Sequence, residues 1–235
     1  MKRSEINAAI LRARETLRLN KFYLPDFAYW TQEKWQRQLP YLSNLRESGL
    51  GWDVTDFGSG DFAHCGSVLF TLRNGRKDDL GIGTPYAEKL IFQMNESEQE
   101  IPFHFHIEKT EDIINRGGGI LMLSLYNSLP GGKLDPHTPV HVRMDGITRT
   151  LDAGSSVSIT PGNSITLTPG LYHRFWAKKG EGNLLTGEVS SINDDNIDNT
   201  FLHTAIRFTP IEEDEPPLCP LCNEYERFPC GNTAQ

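Results

Sequence analysis

The chain has 235 residues, of which 37% are hydrophobic, and these values suit one large β domain or one medium domain with an appendage. Its 31 acidic and 23 basic residues give a net charge of -8, which argues against nucleic acid as a partner and favours small molecules. Residues 1–19 lack the apolar core of a signal peptide, and no segment approaches the roughly 20 apolar residues needed to span a bilayer. We therefore expect a globular, cytoplasmic protein with no membrane segment.

The N-terminal region, residues 1–48, has the pattern of a helical appendage. Apolar residues recur at intervals of three and four as far as Leu19, which predicts an amphipathic helix with Ser4 as its N-cap. A second helix is predicted over about residues 29–38, limited by the pair Leu39-Pro40. Residues 49–235 are then predicted to form a β domain, and both parts belong to a single structural unit.

From Leu50 onward, short runs of residues that favour strands alternate with turn residues. Asn74-Gly75, Asp145-Gly146 and Pro169-Gly170 are examples of these turn signals. The pattern predicts strands at residues 68–72, 89–94, 119–126, 140–144, 156–160 and 164–167. Many short strands of this kind predict a mainly β fold, either a sandwich or a barrel.

Two histidines and two acids in the stretch from Phe103 to Glu111 have residue types that bind metals. If His104 and His106 lie on a β-strand, both imidazoles point to the same face. Neutral imidazole and carboxylate are suitable ligands for a divalent transition metal. By spacing, Glu108 would share the face of His106, so both Glu108 and Glu111 stay candidates. The alternative is that the histidines form hydrogen bonds in an ordinary polar core.

A third histidine, His173, follows the turn at Pro169-Gly170. The two motifs, H-x-H-x4-E followed by glycines and P-G-x-x-H about sixty residues later, resemble the paired motifs of the cupin family. This resemblance implies a double-stranded antiparallel β-barrel of the jelly-roll type. It also implies that one metal ion is bound by four residues, namely His104, His106, Glu111 and His173. Such a mixed ligand set suits Mn²⁺ first, with Fe²⁺, Co²⁺ or Zn²⁺ as alternatives.

Longer segments between about Ser4 and Tyr225 are similar to the D-lyxose isomerases. These segments are residues 103–119, Gly187-Glu188-Val189-Ser190 with Asn193-Asp194-Asp195-Asn196, and 211–217 followed by 222–225. The resemblance implies a homodimeric, metal-dependent aldose–ketose isomerase that acts on monosaccharides. It would interconvert D-lyxose and D-xylulose, and also D-mannose and D-fructose, by proton transfer through an enediol. An iron-dependent cupin dioxygenase and a non-catalytic sugar-binding cupin are the alternatives.

Isomerisation needs a base that does not bind the metal, because a ligand carboxylate uses its lone pairs on the ion. The resemblance directs this role to the acidic run 211–217, where Glu213 is the predicted base and Glu212 its nearest rival. A solvated acidic run is the alternative interpretation. Lys109 is predicted to stabilise negative charge on the sugar oxygen. This role requires a turn or bulge, since alternation from His106 would point Lys109 away.

Further residues are predicted to contact the sugar. Glu188 and Asp198 are candidate acceptors for its hydroxyl groups, and Phe175 or Trp176 is a candidate apolar wall. The four cysteines, Cys65, Cys219, Cys222 and Cys230, are too few for a disulfide scaffold. Because Cys219 and Cys222 form a C-x-x-C pair, a structural zinc site there is an alternative.

Overall fold

The computed structural model describes residues 1–38, 42–194 and 197–227. The helices in these ranges are α1 (Arg3–Leu19), a 3₁₀ helix (Asp26–Tyr29), α2 (Gln32–Gln38), α3 (Ser43–Glu47) and a second 3₁₀ helix (Tyr225–Arg227). The strands are β1 (Gly51–Thr55), β2 (Ser67–Gly75), β3 (Gly83–Gln93), β4 (Glu100–His106), β5 (Glu111–Gly117), β6 (Leu121–Leu129), β7 (Lys133–Asp135), β8 (Val140–Met144), β9 (Ile147–Leu151), β10 (Ser156–Ile159), β11 (Ser164–Leu167), β12 (Leu171–Ala177), β13 (Leu184–Ser191) and β14 (Asn199–Phe201).

The strands form two antiparallel sheets that face each other. Sheet I has the order β1-β2-β3-β13-β5-β11-β8-β9, and sheet II has the order β10-β6-β12-β4-β14, with β7 paired to β6. Side chains of both sheets meet in one buried core, to which Leu69 and Ile113 contribute from sheet I and Leu123 and Phe175 from sheet II. The predicted mainly β architecture is confirmed.

The other face of sheet I is covered by the N-terminal helices. The apolar stripe of α1 is fully buried and packs against outward-facing aromatic side chains of the sheet, including Trp52, Phe70 and Phe92. Helix α1 therefore shares a hydrophobic core with the β domain. No helix among the described residues is long and apolar enough to cross a membrane.

Two details of the predicted helices need correction. Helix α1 begins at Arg3 with Lys2 as its N-cap, so Ser4 is not the cap. The backbone N–H and the hydroxyl of Ser4 instead donate to the carboxylate of Asp214, at 2.9 and 2.6 Å. A residue distant in sequence thus accepts an N–H of the first turn, which has no partner within the helix. The second helix starts at Gln32, later than predicted, and Leu39-Pro40 lies outside the described residues.

All six predicted strands are present, and β8 and β11 have the predicted bounds. Asp145 and Gly146 have φ angles of 51° and 78° and connect β8 to β9, as a two-residue hairpin requires. Asn74-Gly75, by contrast, belongs to the end of β2 rather than to a turn. The sequence pattern missed β13 because most of this central strand is buried, so polar and apolar residues do not alternate along it.

Candidate functional site

The three predicted histidine ligands meet in the space between the sheets. His104 and His106 lie on β4, and His173 lies opposite His104 on the neighbouring strand β12. Their candidate ligand nitrogens all lie within 4.8 Å of one another, and all three residues are buried. A register shift between β4 and β12 occurs just before His104, so that Ile101 and His104 both face the core.

Hydrogen bonds orient two of the imidazole rings. Nδ1 of His104 donates to the carbonyl oxygen of Pro102 at 2.8 Å, and Nδ1 of His173 donates to that of Leu171 at 3.0 Å. Burial lowers the pKa of His104 well below its ordinary value and lowers the pKa of His173 to about 4. Both rings are therefore neutral, with Nε2 as the lone-pair nitrogen, which is the form that binds metals.

The carboxylate of Glu111 completes this cluster. Its Oε1 lies 3.3 Å from Nε2 of both His106 and His173, and the residue is buried at the start of β5 in sheet I. Burial by itself raises the pKa of Glu111, but the Lys109 ammonium and His106 hold it well below its usual range. Glu108 instead points to solvent, with a side chain that is 70% exposed and paired with Lys77. The structure thus places Glu111, and not Glu108, beside the histidines.

The donor set fits a divalent transition metal. Within the described residues, both ring nitrogens of His106 and Nε2 of His173 are buried and have no hydrogen-bond partner. Buried polar atoms of folded proteins are rarely left unpaired, so these nitrogens indicate a ligand position. Imidazole nitrogens and a carboxylate are the ligand types that such metals prefer, and the cluster offers three of the first and one of the second.

The segment between β4 and β5 turns Lys109 inward. The carboxylate of Asp198 accepts the backbone N–H groups of Glu108 and Lys109 at 2.8 and 3.2 Å, and the Asp198 carbonyl accepts that of Ile107 at 3.0 Å. This is the turn that the predicted role of Lys109 requires. It also changes the interpretation of Asp198, which was predicted to bind a sugar hydroxyl. Its carboxylate instead holds the turn in place.

The ammonium group of Lys109 is surrounded by acceptors. It lies 2.8 Å from Oε2 of Glu111, 2.9 Å from Oε1 of Glu188 and 3.0 Å from Oδ1 of Asn193. Lys89 follows on the other side of Glu188, at 3.8 Å. Glu111, Lys109, Glu188 and Lys89 thus form a row of alternating charges, called here the polar row.

A small cavity of about 50 Å³ lies beside the histidines. The polar row lines it together with apolar side chains that include Ile91, Ile101 and Phe175. Trp176 lies on the opposite face of β12 from Phe175, where the guanidinium of Arg174 is 5.0 Å from its ring centroid. Of the two predicted wall residues, the structure therefore places only Phe175 at the cavity.

The structure does not bring Glu213 to the histidines. Both of its carboxylate oxygens accept hydrogen bonds from Arg3, at 2.7 and 2.8 Å, at the start of the helix that covers the outer face of sheet I. Its side chain is 50% exposed, and neither it nor Glu212 lines the cavity. This geometry does not support the prediction of Glu213 as base, because the acidic segment binds the N-terminal helix.

The sequence analysis also missed several residues at the site. Lys89, Asn193 and Arg207 were not proposed as site residues, although Lys89 and Arg207 line the cavity and Asn193 binds Lys109. One signal was available, since Lys89 opens an otherwise apolar strand segment, and a charge in such a run suggests a buried partner. Asp195 and Asn196, quoted in the resemblance, lie outside the described residues.

The cysteine pair gives no support to a zinc site. Cys219 is buried, and burial raises the pKa of its thiol to about 12, which disfavours the thiolate that binds metals. Among the described residues, three candidate metal ligands come together at the histidine cluster, and the cysteines are not part of it. Cys230 lies outside the described residues.

Solved structures of L-ribose isomerases share this fold. The enzyme of Acinetobacter sp. DL28 in complex with L-ribose matches with a TM-score of 0.58 and 15% identity, over 90% of this chain and 98% of that chain. The Cellulomonas parahominis enzyme with L-psicose matches with a TM-score of 0.56 and 16% identity, over the same shares. The predicted cupin-type barrel is thereby confirmed.

Similar sequences extend over nearly the whole chain. The D-lyxose/D-mannose isomerase of Escherichia coli O157:H7 is 43% identical over 229 residues, which cover 97% of this chain and all of that protein. The D-lyxose/D-mannose isomerase of Serratia proteamaculans is 45% identical over 230 residues, which cover 97% of this chain and 99% of that protein. The family model described as D-lyxose isomerase matches residues 1–225, and the chain therefore belongs to the D-lyxose isomerase family.

Proposed function

We propose that the protein is a metal-dependent aldose–ketose isomerase that interconverts D-lyxose and D-xylulose, and D-mannose and D-fructose. Membership of the family supports this reaction class. One observation carries the chemistry: the Lys109 ammonium lies between two buried carboxyl groups, those of Glu111 and Glu188, beside three buried histidines. This arrangement provides metal ligands, a second carboxylate and a cation in one cavity.

The residues that would hold the metal are His104, His106, Glu111 and His173. When bound, the ion supplies a Lewis acid that polarises the oxygens on C1 and C2 of the sugar. Mn²⁺ is our first choice, because four ligands of mixed type leave positions open in a six-coordinate ion, whereas Zn²⁺ favours four ligands.

Glu188 is the proposed base. The contacts of its carboxylate within the described chain all involve Oε1, which lies 2.9 Å from Lys109 and 3.3 Å from the Ser190 hydroxyl. Oε2 takes part in none of them, and the residue lines the cavity. Glu188 can therefore take the proton from C2 of the aldose and return it to C1, while Glu111 stays with the histidines.

Lys109 has two roles in this proposal. Its ammonium group binds Oε1 of Glu188 at 2.9 Å and so holds this carboxylate in place at the cavity. The positive charge of the same group stabilises the negative charge that develops on the sugar oxygen as the enediol forms. The apolar wall, which includes Phe175, limits water around these charges and strengthens both effects.

The decisive assay compares metal-free and metal-loaded protein. We expect chelator-treated protein to be inactive on D-lyxose and D-mannose and to regain activity when Mn²⁺ is added. Full activity without metal would refute the proposal. Oxygen uptake with thiol or aromatic substrates in place of sugar turnover would favour the dioxygenase alternative. In deuterated water, solvent deuterium at C1 or C2 of the product would support the enediol route.

A homodimer in the cytoplasm completes the proposal. The resemblance to the D-lyxose isomerases supports both statements. Light scattering of the purified protein measures the oligomeric state. We expect twice the mass of one chain, and the mass of a single chain would contradict the homodimer. Cell fractionation tests the cytoplasmic location.

A further inference from the structure

An ion pair borders the cavity where it adjoins a larger cleft. Nη2 of Arg207 lies 2.5 Å from Oδ2 of Asp53, and the two side chains are 14% and 4% exposed. Asp53 lies on β1 opposite Leu69, and Leu69 packs in the core between the sheets. Cross-strand partners share a face, so Asp53 points to the cavity side of sheet I.

The cavity beside the histidines is too small for a sugar. Its volume of about 50 Å³ holds a few water molecules, since one water needs about 10–15 Å³ of such a cavity. A pentose is several times larger, so part of it must extend beyond this space. The adjoining cleft has about 500 Å³, and among the described residues Lys89 and Arg207 line both spaces. A sugar with C1 and C2 at the histidines therefore extends past these two cations.

The backbone around Arg207 is held in place on both sides. The N–H of Ile206 donates to the carbonyl of Phe57 at 2.9 Å, and the hydroxyl of Thr209 donates to Asp56 at 2.5 Å. Asp56 and Phe57 directly follow β1, the strand that carries Asp53. The guanidinium is thus positioned before a substrate arrives, which reduces the entropy lost on binding.

We propose that Arg207, oriented by Asp53, binds the hydroxyl groups at the far end of the sugar, at C4 and beyond, and so determines substrate affinity. This inference rests on the proposed isomerase function. Guanidinium N–H groups donate in a fixed plane, and sugar oxygens accept such bonds. Because the reacting carbons lie elsewhere, at Glu188 and the histidines, this contact stabilises substrate and transition state equally. It lowers KM and leaves kcat unchanged.

The test uses Mn²⁺-loaded protein and the variants Arg207→Ala, Arg207→Lys and Asp53→Asn. We expect Arg207→Ala to raise KM for D-lyxose by about tenfold or more, with little change in kcat. The dissociation constant of D-arabinitol, a polyol that cannot isomerise, should rise by the same factor in calorimetry. Asp53→Asn should have a smaller effect in the same direction. Arg73→Ala is the matched control, because Arg73 is an exposed arginine of sheet I that pairs with Glu88 and lines neither space.

L-Glyceraldehyde, which has the same configuration at C2 as D-lyxose, separates a direct contact from general distortion of the site. It lacks C4, so its kcat/KM should be the same in Arg207→Ala and in wild-type protein, and an equal loss on both sugars would overturn the inference. Unchanged KM and D-arabinitol affinity in Arg207→Ala would also overturn it while leaving the isomerase function intact. Wild-type protein without aldose turnover would refute the proposed function itself. If Arg207→Ala fails to fold, Arg207→Lys and Asp53→Asn decide the question by the same measurements.

Discussion

The ammonium group of Lys109 lies 2.9 Å from Oε1 of Glu188, although 79 positions separate the two residues in the chain. Both side chains are buried, where an isolated charge is strongly destabilising. Glu111 and Asn193 provide further acceptors for the same ammonium group. The carboxyl groups of Glu111 and Glu188 are therefore held together at the cavity by the ammonium group that both of them contact.

Replacement of Glu188 tests the proposed base. We expect Glu188→Gln to lower kcat on D-lyxose by between about 100-fold and about 10,000-fold, the usual range for loss of a general base. Bound metal should be retained, because Glu188 is not among the proposed ligands. Steady-state kinetics and metal analysis of the same sample measure both quantities.

Glu213→Gln is the matched control for this prediction. The Glu213 carboxylate binds Arg3 on the helix side of sheet I, so this variant should keep the kcat of wild-type protein. If Glu213→Gln lost turnover and Glu188→Gln kept it, the base assigned from the structure would be wrong and the base predicted from the acidic run would be right.

Removal of a histidine ligand should abolish metal-dependent stabilisation. Mn²⁺ bound to the native state raises the unfolding temperature of wild-type protein, since a ligand of the folded state stabilises it. His106→Ala should show no such increase in unfolding temperature, and Glu111→Gln should show only a small one. Glu108→Gln should behave as wild type, because the Glu108 side chain is exposed and pairs with Lys77. Thermal unfolding with and without Mn²⁺ measures the difference, and equal shifts in all four proteins would contradict the assigned ligands.

Loss of the Lys109 charge should destabilise the metal-free protein. Lys109→Met leaves Glu111 buried without its lysine partner and Glu188 with only the more distant Lys89, which we expect to lower the free energy of unfolding by about 3 kcal/mol or more. Lys77→Met removes a lysine from the exposed pair with Glu108 and should cost less than about 1 kcal/mol. Urea unfolding in the presence of a chelator compares the two variants. Equal losses of unfolding free energy in the two variants would show that the buried ion pairs of Lys109 stabilise the protein no more than the exposed pair of Lys77.

The stability contributed by Asp56 should depend on pH. Burial by itself raises the pKa of Asp56, but hydrogen bonds from Thr209, Gly58 and Gly60 lower it below its ordinary value of 3.8. A carboxylate with a lowered pKa in the folded state stabilises fully above its unfolded pKa, and the effect is lost as pH falls through the folded pKa. Asp56→Asn should therefore be less stable than wild type at pH 7, and the difference should shrink below about pH 4. A constant difference down to pH 2 in denaturant unfolding would contradict this account.

Local patterns in the sequence were sufficient for several features of the site. Alternation placed His104 and His106 on one face of a strand, and both are in the cluster. The same rule, applied from His173, places Phe175 rather than Trp176 at the cavity, as observed. The motif resemblance supplied His173 and Glu111, which no local period could connect.

Alternation failed where the chain leaves regular strands. Lys109 points inward because Asp198 holds the turn after β4, and that contact joins residues far apart in the chain. Glu213 lies in an extended segment whose position depends on Arg3, so its spacing carries no information about the barrel. Side-chain direction in such segments is set by distant partners.

The sequence by itself determined the mainly β fold, the N-terminal helix and the shared face of His104 and His106, because periodicity and turn residues act within a few residues of chain. Spacing alone left Glu108 and Glu111 open, and only the tertiary structure placed Glu111 and Glu188 at the cavity while leaving Glu108 exposed and Glu213 bound to Arg3. These positions depend on which carboxylates are buried next to Lys109. Burial and ion pairing are set when β5 and β13 pair in sheet I and when sheet I packs against sheet II, and neither event can be deduced from residues adjacent in sequence.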